Sequence, residues 1–224
     1  MTHRTVRRAL AAPAGLACAA LLAFGTLSYA APTAVQVAEL CAGAEDQSHC
    51  GRLIEEAQAK RLPGMVERTG DELRVTLFPT GVVTFRDSVA VTGAKTYSLW
   101  DYLDRINAVV LFTTDGDQSG FVLLQRANGR QYRLPSEPTL APDRQHLVTA
   151  DFCGSGCDGE LAVWRVTRDD VRRISTWKPP VTWTDATATW KDADTLRIEY
   201  TVAAEDKPRV LERRLDAPGW QARP

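Results

Sequence analysis

The residues best suited to acid–base chemistry are three carboxylates beside a short cysteine loop. Asp151, Asp158 and Glu160 flank the segment 153–157. A hydrolase that uses two carboxylates needs them about 5–10 Å apart across a cleft, and a fourth acid, Asp115, could join them there. Acidic residues around a loop more often simply face water. A hydrolase that uses these rim carboxylates is therefore the alternative to a protein that binds without catalysis.

Other catalytic signatures are missing from the sequence. After residue 30 the chain has only two histidines, His49 and His146. It has no G-x-S-x-G nucleophile elbow, no H-E-x-x-H zinc motif and no glycine-rich phosphate loop. This pattern favours a protein that binds over one that catalyses, and it calls for no cofactor.

A calcium loop is the most tempting metal site. Asp115, Asp117 and Ser119 place oxygen atoms at alternate positions, followed by a glycine, as in the first half of a calcium-binding loop. The twelfth position, which needs a bidentate glutamate, is Arg126, and the ninth is Leu123. The same residues are common in hairpin turns. A calcium-stabilised structural module is therefore a third, weaker interpretation.

Tryptophans cluster after the cysteine loop. Trp177, Trp183 and Trp190 surround the pair Pro179-Pro180. Aromatic side chains on a rigid β surface make good anchors for sugars or proteins, although they also pack between sheets. We expect Trp183, in the proline-rich connection, to be the most exposed. The candidate binding residues are Trp183, Trp177, Asp158 and Glu160.

The first 30 residues have the layout of a secretory signal. A basic start with Arg4, Arg7 and Arg8 precedes an apolar stretch, which ends in Ser28-Tyr29-Ala30. Small residues at these positions predict cleavage after Ala30. An uncleaved membrane anchor is the competing interpretation, but the stretch is barely long enough and contains helix breakers. The sequence thus predicts a periplasmic or secreted protein.

Charge and cysteine content agree with export. Without residues 1–30 the formal charge changes from −1 to −4, which argues against binding to nucleic acid or to an anionic membrane. Four cysteines remain, and an even number in an oxidising compartment predicts two disulfides. The spacing favours two local pairs, Cys41–Cys50 and Cys153–Cys157. A redox pair or a zinc site is the sharper alternative for the second pair.

The elements that must position these residues change character near residue 65. Val35 to Leu62 has helical periodicity, with Asp46 or Ser48 as a cap and Pro63-Gly64 as a stop. From Val66 onward the period is two, and hairpins follow one another. Their second strands begin about 40–48 residues apart, which is the period of a β-propeller blade. These strands start near four residues: Leu73, Phe121, Leu161 and Arg209.

Three segments carry a family resemblance. Leu140 to Val148 resembles the turn and strand of TolB- and WD40-like propeller blades, Leu161 to Val166 is similar to their "L-x-V-W" strand, and Trp190 to Leu196 is similar to their "W-x-D-x-x-T-L" opening. The chain also resembles small secreted bacterial proteins of uncharacterised function. The resemblance implies a propeller-like fold and implies nothing about activity.

The sequence therefore predicts three parts: a signal peptide over 1–30, a helical lead-in over 31–65 and a mostly β domain over 66–224. The β domain would be a propeller-like fold of about three and a half to four blades, fewer than most closed propellers, an open stack of antiparallel sheets, or a two-sheet sandwich. The expected function is an exported, non-catalytic interaction module, for example an inhibitor or immunity-type protein. Its partner would be a protein or glycan of the cell envelope.

Overall fold

A computed structural model describes residues 31–90, 93–203, 205 and 207–222. The predicted signal peptide lies outside the described residues. Strands make up 49% and helices 13% of the described residues, which confirms the prediction of a mostly β protein. Both helices come before residue 66, and the strands follow it.

The helical lead-in folds as two helices, whereas the periodicity predicted one helical region. Helix α1 (Ala34–Cys41) and helix α2 (Gln47–Ala59) are separated by a short turn. The Asp46 carboxylate caps α2 by accepting the backbone N–H of His49 at 2.8 Å. The Cys41–Cys50 disulfide, with 4.8 Å between α-carbons, joins the end of α1 to the first turn of α2. The predicted cap and the predicted pairing are both confirmed.

The strands form four antiparallel sheets, in sequence order. Sheet 1 contains β1 (Val66–Thr69), β2 (Glu72–Thr76) and β3 (Val82–Arg86). Sheet 2 contains β4 (Ser88–Ala90), β5 (Gly93–Leu103), β6 (Ala108–Asp115), β7 (Gln118–Gln125) and β8 (Gln131–Leu134). Sheet 3 contains β9 (Thr139–Leu140), β10 (His146–Asp151), β11 (Glu160–Val166) and β12 (Val171–Trp177). Sheet 4 contains β13 (Trp183–Trp190), β14 (Thr195–Val202) and β15 (Arg209–Arg214).

The last described strand, β16 (Gln221–Ala222), pairs with β12 and so returns to sheet 3. The predicted first hairpin is confirmed, with Leu73 opposite Phe85 in the β2–β3 register. Strands β5 and β13 were not predicted. A 3₁₀ turn over Asp104–Ile106 connects β5 to β6.

Sheet 2 is buried on both faces. In its strands, Val109 packs toward sheet 1 with Leu73 and Phe85, whereas its neighbour Val110 packs toward sheet 3 with Leu147. Because successive residues of a strand point to opposite faces, this alternation requires a cover on each side. Sheet 1 covers one face, and sheet 3 together with helix α2 covers the other.

Sheet 3 is shared in the same way between sheet 2 and sheet 4. Leu147 belongs to the cluster against sheet 2, and Val148 to the cluster against sheet 4, where it meets Leu196 and Ile198. The outward faces of the first and last sheets are largely polar: Arg74 and Thr84 of sheet 1 are exposed, as are Thr187, Arg197 and Glu199 of sheet 4, and one exposed valine lies on each face, Val82 and Val210.

A buried carboxylate fastens helix α2 to sheets 1 and 2. Glu55 accepts the backbone N–H of Leu99 at 2.9 Å and pairs with Arg68 and with Arg52. Both guanidiniums also pair with Asp87, which in turn accepts the backbone N–H of Tyr97 at 2.9 Å. These carboxylates and guanidiniums therefore find partners in helix α2, in sheet 1 and in sheet 2, and so connect the three elements.

Removing the Glu55 charge should loosen this attachment. Glu55 is 4% exposed, and breaking a buried ion pair typically costs about 3 kcal/mol because the remaining charges stay desolvated. We expect Glu55→Gln to lower the free energy of unfolding in urea by about that amount. Its exposed neighbour supplies the control, since Glu56→Gln should change stability by less than about 0.5 kcal/mol. Equal effects of the two substitutions would contradict this role.

Candidate functional site

The predicted cysteine loop is a clamped projection between β10 and β11. Cys153 and Cys157 form the expected disulfide, with 5.6 Å between α-carbons, within the range that an unstrained bridge allows. Gly156 (φ +91°) and Gly159 (φ +64°) take up the left-handed conformations that the turn requires. Residues 153–158 are all exposed, and we refer to them as the finger.

The base of the finger is fixed by Asp151. This buried carboxylate accepts the backbone N–H of Asp158 at 2.9 Å, and its own carbonyl accepts the N–H of Gly159 at 3.0 Å. Lys178 donates to the carbonyl of Asp158 at 2.9 Å. Together with the disulfide, these bonds hold both arms of the finger to sheet 3.

Two of the three rim carboxylates, Asp151 and Glu160, lie side by side, and the three differ in environment. Asp151 lies directly opposite Glu160 in the β10–β11 register, which brings the two onto one face of the sheet. Glu160 is only 5% exposed and pairs with Arg173 at 2.7 Å, whose guanidinium lies 5.8 Å from the Trp164 ring. Glu160 is therefore buried and already paired, which does not favour the predicted role in binding a partner. Asp158 remains exposed.

The expectation that Trp183 is exposed was wrong. Trp183 is 4% and Trp177 is 7% exposed. The proline-rich connection ends before Trp183, which begins β13 and packs between sheets 3 and 4. Its ring stacks on Tyr200 at 4.0 Å and meets Trp177 edge-on at 5.5 Å. Trp177 in turn lies under the guanidinium of Arg213, 4.3 Å from the ring centre. These rings form the core between the two sheets.

The three calcium candidates lie along the β6–β7 hairpin. Asp115 ends β6 and Asp117 lies in the two-residue turn before β7, while Ser119 already belongs to that strand. Gly116, at φ +60°, makes the turn. Asp115 forms an ion pair with Lys95 at 3.2 Å. Within the described part of the chain, no three histidine, cysteine or acidic side chains lie together as a metal site would need.

The finger shares one end of the molecule with the β6–β7 turn. At the opposite end, the side chains of Gln125 and Asn128 donate to the carbonyls of Thr167 and Arg168 at 2.7 and 3.3 Å. Strands β7 and β11 thus finish side by side. Since both strands start at the other end, the turn before β7 and the finger before β11 lie on that same end, which we call the finger end.

A concavity next to the β6–β7 turn was not predicted. It has a volume of about 170 Å³ and lies on the face of sheet 2 that sheet 1 covers, beyond the edge of sheet 1. Its charged and polar lining comprises Lys95, Tyr97, Thr113, Asp115, Gln118, Ser119 and Arg133. We call it the shelf. Its one sequence signal is the change from apolar to polar residues along one face of β5, β6 and β7.

Three further concavities border the helices. The largest, about 550 Å³, lies between the start of α2 and the β6–β7 turn. One of about 350 Å³ adjoins the Cys41–Cys50 disulfide and Trp100, and one of about 360 Å³ lies between α1 and α2 near Gln36 and Arg61. The rim carboxylates Asp151, Asp158 and Glu160 line none of these four cavities.

A buried acid lies beside Trp100 in sheet 2. Burial raises the pKa of Asp101 to about 6, against the opposing effects of the Tyr102 amide and of Arg61. Burial also raises the pKa of Glu137, although its carboxylate accepts the indole N–H of Trp100 at 2.8 Å, and the nearby Asp101 raises it further. Glu137 itself retains an exposed surface. Asp101 and Glu137 are thus two nearby acids whose pKa values are both raised by burial.

Comparison with known proteins gives no family. No protein-family model matches the chain, and no curated protein is detectably similar to it. No described helix is both long and apolar enough to cross a membrane.

The raised pKa of Asp101 predicts a pH-dependent stability. Between its ordinary value of 3.8 and about 6, the native state binds more protons than the unfolded state, so stability falls as the pH rises through this window. The loss from this group is at most about 3 kcal/mol. We expect Asp101→Asn to remove this loss. The free energy of unfolding of the variant, measured in urea titrations, should therefore rise relative to that of the wild type between pH 4 and pH 7. The exposed Asp71→Asn should leave the profile unchanged, and an identical profile for Asp101→Asn would contradict the assignment.

Proposed function

We propose that this chain is an exported, non-catalytic binding module that contacts its partner with the finger end. The observation that carries the proposal is the finger itself, in which six consecutive residues are exposed while both arms are held by Asp151, Lys178 and a disulfide. A loop that is already rigid loses little conformational entropy on binding. Rigid loops on a β scaffold are where recognition is most often built.

The shape of the finger indicates the kind of partner. Its tip, Gly154-Ser155-Gly156, has no bulky side chain, so it is narrow and presents its backbone. Asp158 adds one exposed carboxylate at the base. Such a projection suits a cleft on a protein of the cell envelope, with a basic group near the mouth of the cleft. This supports an inhibitor or immunity-type role more than a flat surface contact.

Export is part of the proposal. Residues 1–30 have the sequence of a signal peptide, and both cysteine pairs are at disulfide geometry. Disulfides of this kind persist in the periplasm or outside the cell and are rare in the cytosol. A partner of the cell envelope is therefore the consistent choice.

We further propose that the fold is an open stack of four blade-like sheets rather than a closed propeller. A closed ring buries both faces of every blade, because the last sheet packs on the first. Here the outward faces of sheets 1 and 4 are largely polar and exposed, and the last strand, β16, pairs with sheet 3. These features support the open arrangement that the size of the chain suggests.

The hydrolase alternative rests on Asp151 and Glu160, which lie opposite each other on adjacent strands. Their present partners count against it. Both carboxylates are nearly buried, and each already accepts one hydrogen bond, Asp151 from the Asp158 amide and Glu160 from Arg173, which does not favour contact with a substrate. Each contact is one that would stabilise the finger instead.

Site-specific crosslinking tests the proposal directly. A photoreactive amino acid replaces Ser155 at the finger tip in the full-length protein, exported from the cells that make it. A matched probe replaces Asp169, which is also exposed on a hairpin but at the opposite end. We expect an envelope protein to be captured from the Ser155 probe and not from the Asp169 probe.

The disulfide supplies the second arm of this test. Replacing both Cys153 and Cys157 by Ser should lower the free energy of unfolding by about 2 kcal/mol or less, since the closed loop is short. The same change should strongly reduce capture, because the finger loses its fixed shape. Equal capture from both probe positions, or full capture without the disulfide, would contradict binding through the finger.

A further inference from the structure

The shelf exists because sheet 1 is shorter than sheet 2. Strands β1–β3 have four or five residues each, whereas β5 has eleven and β6 and β7 have eight. Residues of sheet 2 that share this face lie in rows across the strands. The row Leu99–Leu111–Val122 is buried under sheet 1. The next row contains Tyr97 and Thr113, which are half-buried, and the last contains Lys95 and Asp115.

A glycine keeps the floor of the shelf open. Gly120 continues the middle row opposite Thr113 in the β6–β7 register. A Cβ atom at this position would lie 3.3 Å from the carbonyl oxygen of Leu134 and 3.9 Å from the Thr113 hydroxyl. Any side chain here would therefore occupy the cavity, whereas glycine leaves the space to a ligand.

The shelf offers cationic donors that are incompletely used. Arg133 lies beside Val122 on the same face and is exposed, and it forms no ion pair with the described residues. Lys95 pairs with Asp115, but the Asp115 side chain is 65% exposed, so water screens that pair and a ligand could replace it at small cost. With one acid and two cations, the lining has a net charge of +1, which matches a ligand with a single negative charge.

The rest of the lining suits a sugar ring. Thr113 and Gln118 carry neutral hydrogen-bonding groups, and the half-buried Tyr97 presents apolar surface. The Lys95 ammonium lies 5.9 Å from the centre of the Tyr97 ring. An aromatic ring beside hydroxyl and amide groups is a common way to hold the apolar face and the hydroxyls of a pyranose. The volume of about 170 Å³ limits the ligand to about one sugar residue.

We propose that the shelf is a binding site for a sugar that carries a carboxylate. Arg133 receives the carboxylate, for which a guanidinium is the best-matched donor, with Lys95 as the second cation. Thr113 and Gln118 bond the hydroxyls, and Tyr97 supports the ring. A phosphate fits less well, because its second negative charge would face Asp115. This site is separate from the finger and does not depend on the partner proposed for it.

Titration of the full mature chain with glucuronate and galacturonate, followed by calorimetry or by ligand-detected NMR, tests this site. We expect binding with a dissociation constant on the order of 1 mM, weakened by added salt. Glucose lacks the carboxylate, and acetate and inorganic phosphate lack the sugar ring. Each of these three should bind at least about tenfold more weakly.

Variants locate the binding. Arg133→Ala removes the carboxylate donor and should raise the dissociation constant for glucuronate at least tenfold. Arg165→Ala removes an exposed arginine from another sheet and should change nothing. Gly120→Ala fills the floor and should also weaken binding, and a thermal unfolding scan shows whether it is still folded. Unchanged affinity in Arg133→Ala would overturn the site, and equal binding of acetate or phosphate would overturn the assignment of a sugar.

Discussion

The constraint on which the structure depends is the burial of sheet 2 on both faces. A sheet with one dry face can pack on a single partner, but the strands β5, β6 and β7 direct Val109 and Val110, or Leu123 and Leu124, to opposite sides. Sheet 1 must therefore cover one face, and helix α2 with sheet 3 the other. Because the middle of the stack is closed in this way, side chains able to meet a ligand are left at the strand ends and in the turns.

The local clamps complete this arrangement. The Glu55 ion pairs attach α2 where sheets 1 and 2 meet, and close packing helps them: a Cβ at Gly51 would lie 2.9 Å from the Ser98 hydroxyl and 3.0 Å from the Phe112 ring. The two disulfides are local and close small loops, so they shape the helical turn and the finger and contribute little to the packing of the sheets. The core and the two disulfide-closed loops are thus stabilised by different means.

The local features of this fold were predictable from the sequence, and the layering was not. The β2–β3 hairpin and the disulfides follow from alternation and spacing, which are properties of neighbouring residues. Strand β5 has no clean alternation because both of its faces are buried, so its period resembles no standard pattern. Trp183 was predicted to be exposed because it follows two prolines, but it begins the unrecognised first strand of sheet 4 and packs between that sheet and sheet 3. Glu160 and the shelf depend on which sheets meet and where a shorter sheet ends, and no local pattern encodes that.

Native-state hydrogen exchange of the mature chain tests the open stack most directly. In an open stack the doubly covered strands β5, β6 and β7 should exchange only through global unfolding, whereas β13–β15, with one face in water, should open at a lower free energy. We predict that order of protection, with sheet 3 between the two. Equal protection of β13–β15 and β5–β7 would mean that sheet 4 is covered on both faces, as in a closed ring, and would contradict the account.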